Sequence, residues 1–229
     1  MFNLFFLLQV DSTSLAVQST DKKDGVSLIE LLTLGGWIMI PLTALFLIAI
    51  FVFFERFLSI RKASTIDNNF MNIIRDHIVN GNVTAARSFA KNTNNPVARI
   101  IDKGIQRIGK PIENIERSME TVGKLEVYNM ERNLSILSLV AGIAPLLGFL
   151  GTIIGMFQLF YSLATGGDFT IQTMADGIYT KVITSAAGLI IGLIAYVAHN
   201  VLTTQVDKTA YKMEAASSEF LDILQEPTR

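Results

Sequence analysis

Leu134–Ala164 reads LSILSLVAGIAPLLGFLGTIIGMFQLFYSLA and contains no Asp, Glu, Lys or Arg. A helix of that length spans roughly 46 Å at 1.5 Å per residue. The hydrocarbon core of a bilayer is only about 30 Å thick. The stretch therefore predicts a transmembrane helix that projects beyond the bilayer at one end or tilts strongly. Two more charge-free runs flank it, Leu31–Phe54 and Val182–Val206, and the central run itself extends from Asn133 to Gly167. Each is long enough to cross a membrane, and buried core helices seldom run so far without a charge.

Charged residues make up 17% of the 229-residue chain. All of them lie outside the three runs, so the remainder is about 27% charged, an ordinary soluble value. The chain reads as a soluble protein interrupted by three membrane spans. It has no cysteine, which excludes disulfide scaffolds, thiolate catalysis and Cys-based metal sites. With two histidines, His77 and His199, a His-rich metal site is excluded as well. The net charge of −1 gives no footprint for nucleic acid.

Thirteen of the nineteen Lys and Arg residues fall between Glu55 and Arg132. The positive-inside rule places that segment in the cytoplasm. Three spans then put the N-terminus outside, a short hairpin outside and the C-terminus inside. The expected organisation is an external, surface-amphipathic segment over 1–30 and a first span within 31–60. Short cytoplasmic helices follow over 61–110, then a long helix carrying the second span over 111–165. An external hairpin over 166–177, a third span over 178–206 and a cytoplasmic C-terminal helix over 207–229 complete the chain. The fold class is an all-α integral membrane protein whose second and third helices are very long and extend into the cytoplasm.

Within the cytoplasmic segment, Ile66–Asn80, Val83–Lys91 and Pro96–Ile108 are periodic runs separated by Asn/Gly punctuation. Ile112, Ile115, Met119 and Val122 then share one face at helical spacing. No strong breaker separates them from the second span, so one helix of about 50 residues is expected there. Gly104–Lys110 matches the first seven positions of a phosphate-binding loop, but Pro111 stands where Ser or Thr must hold magnesium. A helix–helix turn explains it better. No catalytic constellation and no cofactor motif is present, so an enzyme is not expected.

Small and hydroxyl residues distinguish the second and third spans. Gly148, Thr152 and Gly155 form one stripe; Thr184, Gly188, Gly192, Ala195 and His199 form another, with Ser185 beside it. Small residues let helices approach closely in lipid. The hydroxyls either bond back to their own helix or line a path for protons, which they relay without holding charge. The first span instead carries bulky Phe46, Phe51, Phe53 and Phe54, with Trp37 as an interfacial residue. It is expected to face lipid while the other two face protein or a pore. Pro145, inside the second span, leaves a carbonyl without its usual donor. Thr180 and Lys181 at the outer end and His199 near the cytoplasmic end are candidate ends of the path, with an ordinary interfacial histidine as the alternative for His199. No carboxylate lies within any span. Ion-driven proteins usually place one there, so a titrating acid would come from another subunit, with several copies of this chain around it.

Ala144–Thr152, APLLGFLGT, and Gly177–Leu189, GIYTKVITSAAGL, followed by Asn200, carry a resemblance. They are similar to the ExbB/TolQ branch of the MotA/TolQ/ExbB proton-channel family, ExbB most of all. The resemblance implies a homopentamer in the bacterial inner membrane. Its second and third spans would line a central pore occupied by ExbD- or TolR-like single-span subunits that supply a proton-binding Asp. Proton flow would drive work on a TonB- or TolA-like protein. Thr152 matches the pore hydroxyl of the second span and Ser185 that of the third, with Thr184 adjacent; Pro145, Gly148, Gly155, Gly188 and Gly192 complete the pathway group. In several relatives a Glu stands where this chain has Thr180 and an apolar residue stands at Lys181. That departure weakens a relay role for the start of the third span and increases dependence on a partner's acid. TolQ-like envelope maintenance, a gliding or secretion motor, and a non-conducting scaffold are the alternatives. Protons are preferred to sodium mostly through the resemblance, since sodium needs several oxygen ligands and a proton only a carboxylate and a path.

Overall fold

The computed structural model describes residues 36–65, 67, 69–166 and 170–225, with the side chains of Thr173, Asp176 and Thr180 left aside. The expected segment over 1–30 lies outside the described residues. Among the described residues seven helices follow in order: α1 (Met39–Ser64), α2 (Phe70–Val79), α3 (Val83–Asn92), α4 (Pro96–Ile105), α5 (Ile112–Glu131), α6 (Leu134–Ala164) and α7 (Ile171–Gln225). There is no strand among the described residues. Among the described residues, helices α1, α6 and α7 are long and apolar enough to cross a membrane.

A heptad organises α7. Gly188, Ala195, Leu202, Thr209, Ala216 and Ile223 recur every seven residues and are all buried; so do Gly192, Val206, Met213 and Phe220, with half-buried His199 in the same register. A 3.5-residue period keeps one seam of a long helix facing its neighbours. The seam is small where α7 meets α6 and large where it meets α4 and α5. There Gly104 on α4 brings its backbone against the Met119 sulfur and the Phe220 ring, each 2.6 Å from where a Cβ would stand. Gly104 thus has a packing role, and the turn from α4 to α5 is the helix–helix turn expected in place of a phosphate loop.

The expected continuous helix from Ile112 through the second span is divided. α5 ends at Glu131 and α6 begins at Leu134. Arg132 (φ −51°, ψ 133°) and Asn133 (φ 68°, ψ −5°) have the central angles of a type II turn. Asn tolerates the left-handed region because its short polar side chain hydrogen-bonds locally. Arg56, buried on α1, lies at this break and donates to the Asn129 carbonyl at 3.5 Å while pairing with Glu55. The expected hairpin over 166–177 is also shorter, because α7 already starts at Ile171. A Cβ on Gly177 would meet Leu159 Cδ1 at 2.5 Å, so α6 and α7 still touch at that level.

Helix α1 is less lipid-facing than expected. Leu42, Ala49, Val52 and Ile60 are buried. Phe53 stacks on Phe57 at 5.7 Å between centroids, while Phe51 and Phe54 stay exposed. Ile38, just before α1, reaches the level of Gly151 on α6. From Gly151 to Ala164, α6 continues about 20 Å further. The excess length of the second span therefore projects at the hairpin end, away from α2–α5.

Asn95 ties the loop-side end of α1 to α4. Its Oδ1 caps α4 by accepting from the Val97 N–H at 2.9 Å, and its Nδ2 donates to the Ala63 and Thr65 carbonyls at 2.8 and 2.7 Å. It is 3% exposed. Asn95→Ala removes a cap and leaves buried backbone groups unpaired. It is expected to destabilise the helical loop region by about 2–4 kcal/mol, read as a lowered midpoint in thermal unfolding of the detergent-solubilised protein.

Candidate functional site

The glycines of α6 and α7 form a seam with almost no side chain in it. A Cβ on Gly188 would stand 2.6 Å from the Ala144 carbonyl oxygen and 2.8 Å from the Gly148 Cα. A Cβ on Gly148 would stand 3.1 Å from the Gly188 Cα and from the Ser185 and Thr184 carbonyl oxygens. The two backbones are in contact. One turn toward the loop side, Pro145 fills the gap that Gly192 leaves: a Cβ there would meet the ring at 2.5 and 2.7 Å and the Ala141 oxygen at 3.1 Å. Pro145 has no N–H, so the Ala141 carbonyl lacks its helical donor, and this carbonyl lies against Gly192. The five residues Gly148, Gly155, Gly188, Gly192 and Pro145, named above for the pathway, all sit along the α6–α7 contact of the single chain.

The hydroxyls cluster toward the hairpin side of this contact. Thr184 is 1% exposed, and its Cγ2 stands 2.8 Å from where a Gly151 Cβ would be. Ser185 beside it is half-buried. Thr152, next to Gly151, donates to the Phe149 carbonyl at 2.6 Å. That is the back-bonding expected of a membrane threonine. Its oxygen keeps a free acceptor site, since a hydroxyl carries one proton and two lone pairs. Gly151 is the seam residue that the pathway group above leaves out. Its place in the GxxxG of α6 was the signal that could have found it.

The path's suggested ends are far apart. Lys181 is half-buried one turn from Thr184, its aliphatic stem lying where a Gly155 side chain would go. His199 is half-buried on the same face of α7, about 27 Å along the helix from Lys181. The side chain of Thr180 is outside the described residues. Asn200 is exposed and donates to the Tyr196 carbonyl at 2.8 Å.

Residues 92–215 match the MotA/TolQ/ExbB proton channel family. That match spans more than half of the chain and covers the seam, the hydroxyls and α7 as far as Ala215.

The chain belongs to the MotA/TolQ/ExbB proton channel family.

It is similar to a biopolymer transport protein ExbB homolog of Methanothermobacter thermautotrophicus, with 27% identity over 82% of this chain and 67% of the relative. Biopolymer transport protein exbB1 of Vibrio cholerae is 36% identical over 38% of this chain and 39% of its own length. The Tol-Pal system protein TolQ of Haemophilus influenzae is 29% identical over 49% of this chain and 50% of the relative. Both named branches therefore match, the first over the greater share of the chain. As a family member with three apolar helices, the chain is a membrane-embedded proton-channel subunit.

The seam makes a sharp expectation. Gly188→Val forces two backbones apart and is expected to destabilise the α6–α7 pair by about 1–3 kcal/mol, the usual range for overpacking. Gly142, with nothing within 4 Å of its Cβ direction, is the control; Gly142→Ala is expected to leave the melting temperature in detergent unchanged or raised.

Proposed function

We propose that this chain is the ExbB-like housing subunit of a proton-driven motor in a bacterial inner membrane. Several copies, five by the resemblance, surround one or more single-span subunits of the ExbD or TolR type. The partner brings the carboxylate that binds the proton. Thr152, Thr184 and Ser185 assist its transfer, and the motion is passed to a TonB-like protein that energises outer-membrane transport. The N-terminus lies outside and the C-terminus inside. The chain itself performs no enzymatic chemistry.

The observation that carries this reading is the absence of Asp and Glu from all three spans, in a chain whose buried α6–α7 seam sets three hydroxyl residues at one level. A hydroxyl can relay a proton but holds no charge at physiological pH, so a carboxylate must come from elsewhere. The greater coverage of the ExbB homolog favours that branch over TolQ-like envelope maintenance. A non-conducting scaffold draws support from one contact, the Thr152 hydroxyl bonded to its own helix.

Vesicles loaded with a pH-sensitive dye separate these readings. Proton flux is expected only when the chain is reconstituted with its single-span partner. Thr152→Ala, or Thr184→Ala combined with Ser185→Ala, is expected to lower that flux at least tenfold while the copies still assemble. Full flux in the hydroxyl-less variants overturns the path, and no partner-dependent flux under any gradient favours the scaffold.

A further inference from the structure

Lys181 is a cation on an otherwise uncharged seam. Its position on α7 is level with Gly155 on α6, and its stem occupies the space that the missing Gly155 side chain leaves. The residue is half-buried and sits one turn from Thr184. Helix α6 carries no charged residue, and its one ionisable group is Tyr161, six positions beyond Gly155. Helix α1 has no ionisable group before Glu55. On α7 the neighbouring ionisable residues are Tyr179 and Asp176 toward the hairpin and Tyr196 toward the loop side. Asp176 is five positions away in sequence. Among the described residues, none of the ion pairs includes Lys181.

A half-buried ammonium with no ion-pair partner among the described residues is costly in a membrane seam, and such groups are kept where they face a partner or a pathway. Lysine is a compact point charge on a flexible stem, which suits a carboxylate that arrives and leaves. We propose that Lys181 is the docking counter-charge for the acidic side chain of the partner span. Resting on the housing function above, the assignment names the positioning residue of that site. The cation draws the ionised carboxylate to the level of Thr184 and Ser185 and holds down its affinity for the proton. Protonation of the carboxylate breaks the pair and frees the partner span to move.

The test is the pH profile of partner-dependent proton flux in vesicles containing both subunits. A nearby cation lowers a carboxyl pKa by about 1–3 units. Lys181→Met removes that cation, so half-maximal flux is expected to move to higher pH by about 1 unit or more. Lys181→Arg is expected to keep the wild-type profile, and Gly155→Val, which pushes the stem out of the seam, to shift it in the same direction as Lys181→Met. If Lys181→Met fails to assemble, Gly155→Val carries the test with the lysine still present. Wild-type flux with an unshifted profile in the variants overturns the Lys181 assignment and leaves the housing function standing. No partner-dependent flux in the wild type overturns the housing function, and the Lys181 assignment with it.

Discussion

The backbone contact between Gly148 and Gly188 is the constraint on which the membrane part of this chain depends. In lipid no hydrophobic drive brings two helices together, so association relies on packing and close approach. Here packing is reduced to backbone against backbone, with Ala144, Gly148, Gly188 and Gly192 leaving room for nothing larger. Pro145 is seated by the same geometry, since its ring needs the gap at Gly192. Thr184 is buried by it too, held against Gly151 one turn away.

The contact extends its influence through α7, which continues without interruption from Ile171 to Gln225. The heptad that begins with glycines in the membrane ends with Met213, Phe220 and Ile223 among the loop-side helices. One rod therefore couples the seam to the α4–α5 packing. Helix α6 is not such a rod, because the turn at Arg132–Asn133 separates it from α5. The buried Arg56 at that turn and the Arg99–Glu126 pair at 2.7 Å brace the loop side. Glu126 is 7% exposed, so removing Arg99 would strand a nearly buried charge.

Much of this was legible in the chain because lipid writes strongly on sequence. Excluding charge from the bilayer marked all three spans, and the spacing of Thr184, Gly188, Gly192 and Ala195 marked the face of α7 that is buried. Asn133 was harder to read. A turn made of two residues, neither Gly nor Pro, leaves hydrophobic periodicity intact on both sides. Glu126 was hidden for a different reason: it occupies a core position of α5 only because Arg99, distant in sequence, reaches it. Long-range pairing leaves no period to detect. The division of labour among the site residues was also beyond sequence spacing. Gly148 and Thr152 share a stripe on paper, yet one is at the backbone contact and the other is turned back to its own helix.

The proposed function makes these spans a fixed housing and assigns the acid and the movement to a partner. The lack of cysteine makes this directly measurable, since introduced cysteines are the only ones present. Leu146 and Leu189 are exposed and flank the seam contact on α6 and α7. Spin labels at these two positions, with distances read in vesicles, report whether the seam moves. The account predicts one narrow distribution, the same without the partner, with it, and under a proton gradient. A distribution that shifts or splits when the gradient is applied would contradict a fixed housing.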